Sequence, residues 1–307
     1  YDDCLYSTAG TLVAVPVDKT TVSFPEEFVV SAIGEYAFYG SAVTELEIPD
    51  SVTHIGFAAL GNMQALTSLS VPVIGESAGG ENDYMGYVFG SRMNIVTSTN
   101  SIFSTFSVSR ASNLPANLKA IAVTKAYSEI PDKAFALLTG VTDVSVFAGE
   151  PATAVLSYGA FSFYHTSLVE WVFAGGTTAV GESAFRGTRL SEVSLPGTVG
   201  ANLGIASFAE IDGLAAIELG DGITQIPSAA FYAAYTSGEV SDDNGYTYNV
   251  QRSAVSELVI PESVASIGSE AFRGVGMAEF WEPASPTQQP LAFVHGTRNE
   301  GFTITFE

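Results

Sequence analysis

Apolar positions along this chain follow a six-residue pattern that returns about every 23 residues. The hexamer has an apolar residue, then Gly, Pro or Ser, two variable positions, a small residue and a closing Phe or Leu. The closing aromatic predicts a buried spine, in which each ring contributes about 2–3 kcal/mol relative to exposure. Because Gly and Pro suit a turn or a first helical turn, the hexamer predicts the start of a short helix. The copies begin at residues 33, 55, 130, 156, 180, 203, 226 and 267.

A second pattern, about ten residues after most hexamers, predicts β-strands. It reads apolar–x–x–apolar–x–apolar, as in "VTELEIP" from residue 43 and "LSEVSLP" from residue 190. Its last four positions alternate in polarity, which is typical of a strand with one buried face. The copies begin at residues 43, 66, 141, 168, 190, 214 and 255.

A strand and a short helix in every repeat predict a solenoid whose coils stack about 4.8 Å apart. The fold class is therefore α/β and β-rich, with one parallel sheet of short strands and short helical turns on the opposite side. We expect a single domain over residues 1–307, with hairpin-like caps at 1–32 and 282–307 around repeats at 33–281. The segment 11–25 predicts the N-terminal hairpin, and "GFTITFE" from residue 301 predicts a strand that closes the other end. Insertions interrupt the repeats at about 73–117 and 233–253.

The repeats closely resemble those of the BspA-type leucine-rich repeat family. The match is best in "LEIPDSVTHIGFAAL" at 46–60 and "LVIPESVASIGSEAF" at 258–272, and it covers most of residues 21–281. The resemblance implies a leucine-rich-repeat solenoid that is secreted or displayed on a bacterial, or in some cases protist, cell surface. Several members of the family are adhesins, so the resemblance also implies a role in binding host matrix proteins or other cells.

Composition and charge exclude several classes of partner. Of 307 residues, 47% are hydrophobic and only 14% are charged, and 33 acidic residues against 11 basic ones give a net charge of −22. Such a surface repels phosphate backbones and anionic lipids, so we expect neither nucleic-acid binding nor membrane insertion. Cys4 is the only cysteine, which excludes an intrachain disulfide. We expect a monomer.

One short motif suggests enzymatic chemistry, and its context argues against it. Gly75-Glu76-Ser77-Ala78-Gly79 fits the G-x-S-x-G pattern of esterase nucleophiles. No helical periodicity follows it, and "GESAF" at 181–185 shows that the repeats themselves use these letters. The chain has no Walker loop, no GxGxxG after a strand and no CxxC, and its three histidines lie in unrelated contexts. We therefore expect no catalytic residues, no metal site and no cofactor.

The two insertions carry aromatic residues that could pack on the solenoid or contact a partner. In the first, these are Tyr84, Tyr87, Phe89, Phe103 and Phe106. In the second, Asn244-Gly245 predicts a hairpin tip, which leaves the tyrosines at 246 and 248 as candidate contacts. The run 242–244 (Asp-Asp-Asn) does not have the spacing of an EF-hand loop, so a calcium site is the weaker hypothesis. The candidate binding residues in the insertions are Tyr84, Tyr87, Tyr246 and Tyr248.

The predicted sheet carries an acidic column. An acidic residue directly precedes the central apolar residue of most strands, so stacked coils would align these carboxylates along one edge. This column is either a solvated edge that discourages aggregation or a docking face for a basic partner. The column residues are Glu45, Asp143, Glu170, Glu192, Glu257 and Glu279, and the outward positions that follow them include Glu47, Val172, Glu218 and Trp281.

The leading hypothesis is a non-enzymatic extracellular module that binds a protein or a glycan through the sheet face and the insertions. A structural stalk or scaffold of a larger surface protein is the first alternative. A carbohydrate-active parallel β-helix enzyme is the second, and the Ala-Phe turns argue against it because a β-helix has two or three strands per coil.

Overall fold

The computed structural model describes residues 1–96, 104–109, 111–147, 155–232, 236–241, 247–283, 297–298 and 303–306. The chain divides into two compact units, Tyr1–Leu168 (unit 1) and Val169–Glu307 (unit 2). Each unit is built from the same coils of strand and turn. A single domain over 1–307 stays a prediction.

Unit 1 contains two parallel ladders that follow from the two sequence patterns. The strand pattern forms a four-stranded parallel sheet in the order Asp143–Val146, Ala120–Val123, Ser68–Val71 and Glu45–Glu47. The first residues of the hexamers end two-residue strands that also pair in parallel, as Ile33 with Ile55 and Ile130 with Tyr158. The strands of unit 1 are β1 (Leu5–Tyr6), β2 (Thr11–Ala14), β3 (Ala32–Ile33), β4 (Glu45–Glu47), β5 (His54–Ile55), β6 (Ser68–Val71), β7 (Arg92–Val96), β8 (Thr105–Ser109), β9 (Ala120–Val123), β10 (Glu129–Ile130), β11 (Asp143–Val146) and β12 (Ser157–Tyr158), with helix α1 (Met85–Val88) and a 3-10 turn at Ala111–Asn113.

Unit 2 repeats this arrangement. The strand Glu192–Leu195 pairs in parallel with Ala216–Leu219, which lies beside Glu257–Ile260, and Gln225–Ile226 pairs with Ser266–Ile267. Its strands are β13 (Ala179–Val180), β14 (Glu192–Leu195), β15 (Ala216–Leu219), β16 (Gln225–Ile226), β17 (Thr236–Ser241), β18 (Thr247–Arg252), β19 (Glu257–Ile260), β20 (Ser266–Ile267), β21 (Met277–Pro283), β22 (Thr297–Arg298) and β23 (Thr303–Phe306), with a 3-10 turn at Gly197–Val199.

The hexamers fold as consecutive tight turns, so the short helix expected there is wrong. The fourth residue of every hexamer has a positive φ, which interrupts a right-handed helix. The bonds within a hexamer close four-residue turns, as from Ala37 N to Gly34 O. None of these fourth residues is Gly, so their residue types do not indicate the conformation. They are Tyr36, Ala58, Lys133, Phe161, Ser183, Ala206, Ala229 and Glu270.

The left-handed residue turns backbone N–H groups toward the next coil. In unit 2, Ala206 N donates to Ser228 O at 3.1 Å, and Phe208 N donates to Ala230 O at 2.8 Å. These bonds between coils offset a conformation that costs about 1–2 kcal/mol per residue. The coils approach closely, because a Cβ on Gly204 would lie 2.3 Å from Glu182 N. This approach accounts for the glycine at the second hexamer position, while the small residues at the fifth position are buried.

The closing aromatics of the hexamers form the expected spine. In unit 2, Phe185, Phe208, Phe231 and Phe272 stack with ring centroids 5.4 Å apart. In unit 1, Phe135 stacks on a ring at 5.1 Å. That partner is Phe163 and not Phe161, since Ile130 pairs with Tyr158 and Phe135 N bonds Ser162 O. The hexamer assigned to 156–161 is therefore "YGAFSF" at 158–163, and its first assignment was wrong by two residues.

The first insertion contains a complete extra coil. Ile55 N donates to Glu76 O and Leu60 N donates to Val88 O, which are the bonds that one coil normally makes to the next. Phe89 occupies the spine position and is fully buried. The segment 74–89 is thus a hexamer expanded by a loop at 77–84, and the hairpin β7–β8 follows it.

The two ends of the chain differ from the expectation in detail. The N-terminal hairpin pairs β1 with β2, so it lies at residues 5–14 and the prediction of 11–25 was wrong. Strand β23 pairs in parallel with β19, which confirms that the last described segment continues the sheet. In the second insertion, β17 and β18 form the expected antiparallel hairpin, whose tip lies outside the described residues.

Candidate binding site

A groove in unit 2 brings together three of the predicted binding residues. It lies between the segment 169–173 and strand β14 and has a volume of about 350 Å³. These three residues are Glu170 and Glu192, which belong to the acidic column, and Val172, which is one of its outward positions. The lining residues are Val169, Glu170, Trp171, Val172 and Phe173 on one side, with Ser191, Glu192 and Ser194 on the other.

The groove exists because the segment 169–173 does not join the sheet, although its sequence predicted a strand. Two inward positions carry Trp171 and Phe173, where the other strands carry Leu, Ile or Val. The ring of Phe173 lies edge-on to Phe185 at 5.2 Å, and the ring of Trp171 lies 6.2 Å from Phe185. The bond from Ser191 N to Val169 O is 3.4 Å long, and we attribute the loss of the ladder to these larger side chains.

One wall of the groove exposes apolar surface. Val172 is 91% exposed, although burying an apolar side chain is favourable in free energy. Beside it, Trp171 is half-buried. A large exposed apolar residue within a concave surface is a feature of binding sites rather than of a solvated edge.

The rim of the groove is acidic. Glu170 and Glu192 are exposed, and within the described part of the chain neither forms an ion pair. On the neighbouring strand, Glu218 accepts a hydrogen bond of 2.8 Å from the Ser194 hydroxyl, which holds a third carboxylate close to the groove. No Lys, Arg or His is present among the described lining residues. The arrangement therefore suits a cationic group that also has an apolar stem.

In unit 1 the acidic column is interrupted. The register places Ser68 and Ala120 between Glu45 and Asp143. Three strand spacings separate the two carboxylates by about 14 Å, which exceeds the screening length of about 8 Å at physiological salt. The continuous column expected here was wrong because the strand β9 was overlooked, although "LKAIAV" from residue 118 fits the strand pattern. On the outward positions, Glu47 is exposed beside Ser70.

In unit 2 the column is also mixed, and its predicted member Glu279 leaves it together with the outward residue Trp281. Glu192 pairs with Ala216, and Glu257 pairs with Thr303. Glu279 and Trp281 lie on β21, which pairs antiparallel with β18 of the second insertion. Their placement on the parallel sheet was wrong because β23 occupies the position beside β19.

The candidate tyrosines have different environments. Tyr84 is buried at 4% exposure under the Lys133 ammonium, 4.7 Å from its ring centroid, so it packs and does not contact a partner. Tyr87 is half-buried. Tyr248 lies on β18, and Tyr246 and the run 242–244 lie outside the described residues.

Other candidate chemistry finds no support in the described ranges. Ser77 Oγ forms no hydrogen bond with a histidine there, and no group of three His, Cys, Asp or Glu residues could hold a metal. A depression of about 660 Å³ beside Asp83, Glu129 and Asp132 therefore carries no cation site. No helix in these ranges has the length and apolar character needed to cross a bilayer.

Comparison with protein families gives one match that covers most of the chain. The model described as "BspA type Leucine rich repeat region (6 copies)" matches residues 18–142, 112–238, 156–278 and 246–288. Together these matches extend from residue 18 to residue 288. The comparison with curated proteins gives no match.

Among solved structures, the chain is similar to the pneumococcal vaccine antigen PcpA, with 16% identity and a TM-score of 0.41. That similarity covers 87% of this chain and 58% of PcpA, so the chain spans less than two thirds of that protein. A leucine-rich cell surface protein from Faecalibacterium prausnitzii A2-165 shows 16% identity and a TM-score of 0.36 over 88% of this chain and 71% of that one. A leucine-rich repeat protein from Bacteroides ovatus ATCC 8483 shows 18% identity and a TM-score of 0.35 over 87% and 75%.

Proposed function

Since the chain belongs to the BspA-type leucine-rich repeat family, we propose that it is a non-enzymatic extracellular module that binds a basic protein segment in the groove of unit 2. Membership confirms the resemblance noted in the repeats and the β-rich solenoid fold. The extracellular location is part of the proposal and is supported by the family's usual placement.

The observation that carries the proposal is the exposed Val172 in a groove that Glu170 and Glu192 also line. A lysine or arginine side chain has an apolar stem and a cationic head, so it can cover Val172 and the Trp171 ring while its charge meets the carboxylates. A protein segment with aliphatic and basic residues satisfies both features. A polyanion would be repelled.

The charge of the whole chain supports a basic partner. A net charge of −22 attracts cationic surfaces from a distance and increases the association rate at low salt. The sites of contact must still be local, because the carboxylates of the unit 1 sheet are far apart. The groove is where acidic and apolar surface coincide.

A panel of short lysine- and arginine-rich peptides, with acidic counterparts of the same length, tests the proposal. Fluorescence anisotropy should detect basic peptides that bind the wild type, with affinity that falls as salt is added. Val172→Ser and Trp171→Ala should weaken the binding. Binding that is unchanged in both variants would contradict the groove as the site, and a pure scaffold would bind no peptide at any salt concentration.

A further inference from the structure

A row of aromatic rings crosses the turn side of unit 1. The row consists of Tyr39, Tyr36, Phe57 and Tyr87, in that order. Successive ring centroids lie 5.8, 6.1 and 5.3 Å apart, and each ring meets the next at between 61° and 86°. Edge-to-face pairs at these distances are favourable, so the row is preorganised before any ligand arrives.

The repeat places these rings side by side. Tyr36 is the left-handed fourth residue of the first hexamer, Phe57 is the third residue of the next, and Tyr87 belongs to the expanded coil of the insertion. Tyr39 lies over Gly61, where a Cβ would be 2.7 Å from the tyrosine ring. The three stacked coils therefore hold the row on rigid backbone.

The row remains accessible to solvent. Tyr36 is 46% exposed and Tyr39 is 42% exposed, while Phe57 and Tyr87 are half-buried. The spine rings below the turns are fully buried. The row is consequently distinct from the buried spine that stabilises the coils.

Hydrogen-bonding groups accompany the rings. The Tyr87 hydroxyl donates to Glu76 Oε1 at 3.2 Å, and Asn82 Nδ2 donates to Glu76 Oε2 at 2.9 Å. Burial, followed by the charge of Glu76, raises the pKa of Tyr87 to about 12, so its hydroxyl keeps its proton at neutral pH. The Arg92 guanidinium lies 5.0 Å from the Phe57 ring centroid. Three of the four rings also carry hydroxyl groups.

This combination fits a neutral oligosaccharide better than a polypeptide. The negative face of an aromatic ring attracts the weakly positive C–H groups of a pyranose, and the surrounding hydroxyl, amide and carboxylate groups pair with sugar hydroxyls. The two exposed rings, Tyr36 and Tyr39, lie 5.8 Å apart, so one oligosaccharide can contact both. The net charge of −22 opposes sulfated or uronic-acid chains.

We propose that the aromatic row of unit 1 is a binding site for a neutral oligosaccharide. This site is separate from the groove of unit 2 and does not rest on the function proposed for that groove. Its two most exposed rings, Tyr36 and Tyr39, carry the stacking contacts.

Isothermal titration with neutral hexasaccharides of glucose, mannose and N-acetylglucosamine tests this proposal, with a heparin hexasaccharide as the charged comparison. At least one neutral hexasaccharide should bind the full chain, and heparin should bind none. Tyr36→Ala combined with Tyr39→Ala should weaken binding at least tenfold, whereas Val172→Ser in unit 2 should leave it unchanged.

Two further variants keep the result clear if the double alanine variant folds poorly. Tyr36→Phe combined with Tyr39→Phe retains both rings and should retain most of the affinity, and Tyr39→Ala alone should show part of the loss. The proposal is overturned if no neutral hexasaccharide binds, if the alanine variants bind as the wild type does, or if heparin binds more tightly. If these variants lose binding of a basic peptide and not of a sugar, the row is a protein contact, and that result would also overturn the proposal.

Discussion

The left-handed fourth position of the hexamer can be tested with two neighbouring alanines. Ala229 has φ of 56°, whereas Ala230 has an ordinary negative φ. Both side chains are fully buried. Changing each alanine to glycine removes the same buried methyl group and adds the same freedom to the unfolded chain.

The expected magnitudes differ because only Ala229 is strained. Loss of a buried methyl costs about 0.8 kcal/mol, and the entropy of glycine costs a further 0.5–1 kcal/mol or so. Ala230→Gly should therefore destabilise unit 2 by about 1.5 kcal/mol. Ala229→Gly also relieves about 1–2 kcal/mol of left-handed strain, so its net effect should be close to zero.

Urea unfolding followed by circular dichroism measures the difference between the two variants. The midpoint for Ala229→Gly should stay near that of the wild type, while the midpoint for Ala230→Gly falls and the slope remains unchanged. Equal losses of stability in both variants would refute the claim that the fourth position is strained. A larger loss for Ala229→Gly would refute it more strongly.

Three other changes have defined outcomes. Burial is the largest cause of the raised pKa of Asp83, so the folded chain holds this proton more tightly than the unfolded chain and stability falls as pH rises between the two pKa values. Asp83→Asn should thus raise the melting temperature at about pH 7 and leave it unchanged at about pH 3; a decrease at neutral pH would contradict this. Phe208→Ala removes a ring stacked on both sides and should cost about 3–5 kcal/mol in urea unfolding, and a loss below 1 kcal/mol or so would contradict its place in the spine. Val172→Ser should change the free energy of unfolding by less than about 0.5 kcal/mol. A large loss would show that Val172 contributes to packing and is not available to a partner.

The repeat architecture could be predicted from the sequence because its main determinants are side chains with a fixed spacing. The spine aromatics and the small fifth residues are visible as letters, and both have the packing that their spacing indicated. The turns were harder to predict. Their left-handed residues include Ser183 and Glu270, and neither residue type indicates a positive φ.

The errors in register arose where two sequence patterns compete. Phe161 and Phe163 both follow a small residue, so the spacing alone could not decide which one closes the hexamer. The backbone decides it through the pairing of Tyr158 with Ile130. Similarly, the segment around Trp281 alternates in polarity as a strand of the parallel sheet would, but strand β23, which is distant in sequence, lies beside β19 instead.

The candidate site could be predicted in part. The acidic column indicated Glu170 and Glu192 as candidates, and the outward alternation indicated Val172; all three line the groove. That these residues line a groove depends on the departure of 169–173 from the sheet. Alternation is the same in a paired and an unpaired extended segment, so the sequence pattern does not contain that information.

Charge reversal in the groove, with a matched reversal elsewhere, tests the central claim most directly. Glu170→Lys with Glu192→Lys and the control Glu45→Lys with Asp143→Lys each raise the net charge of −22 by four units. Exposed ion pairs contribute about 0.2–1 kcal/mol each, so replacing two attractions by two repulsions should weaken a basic peptide about tenfold. We predict this loss for the groove variant and a change of less than about twofold for the control, because its carboxylates do not line the groove. Equal losses would show that only the overall charge attracts the peptide, and unchanged affinity in the groove variant would contradict the site.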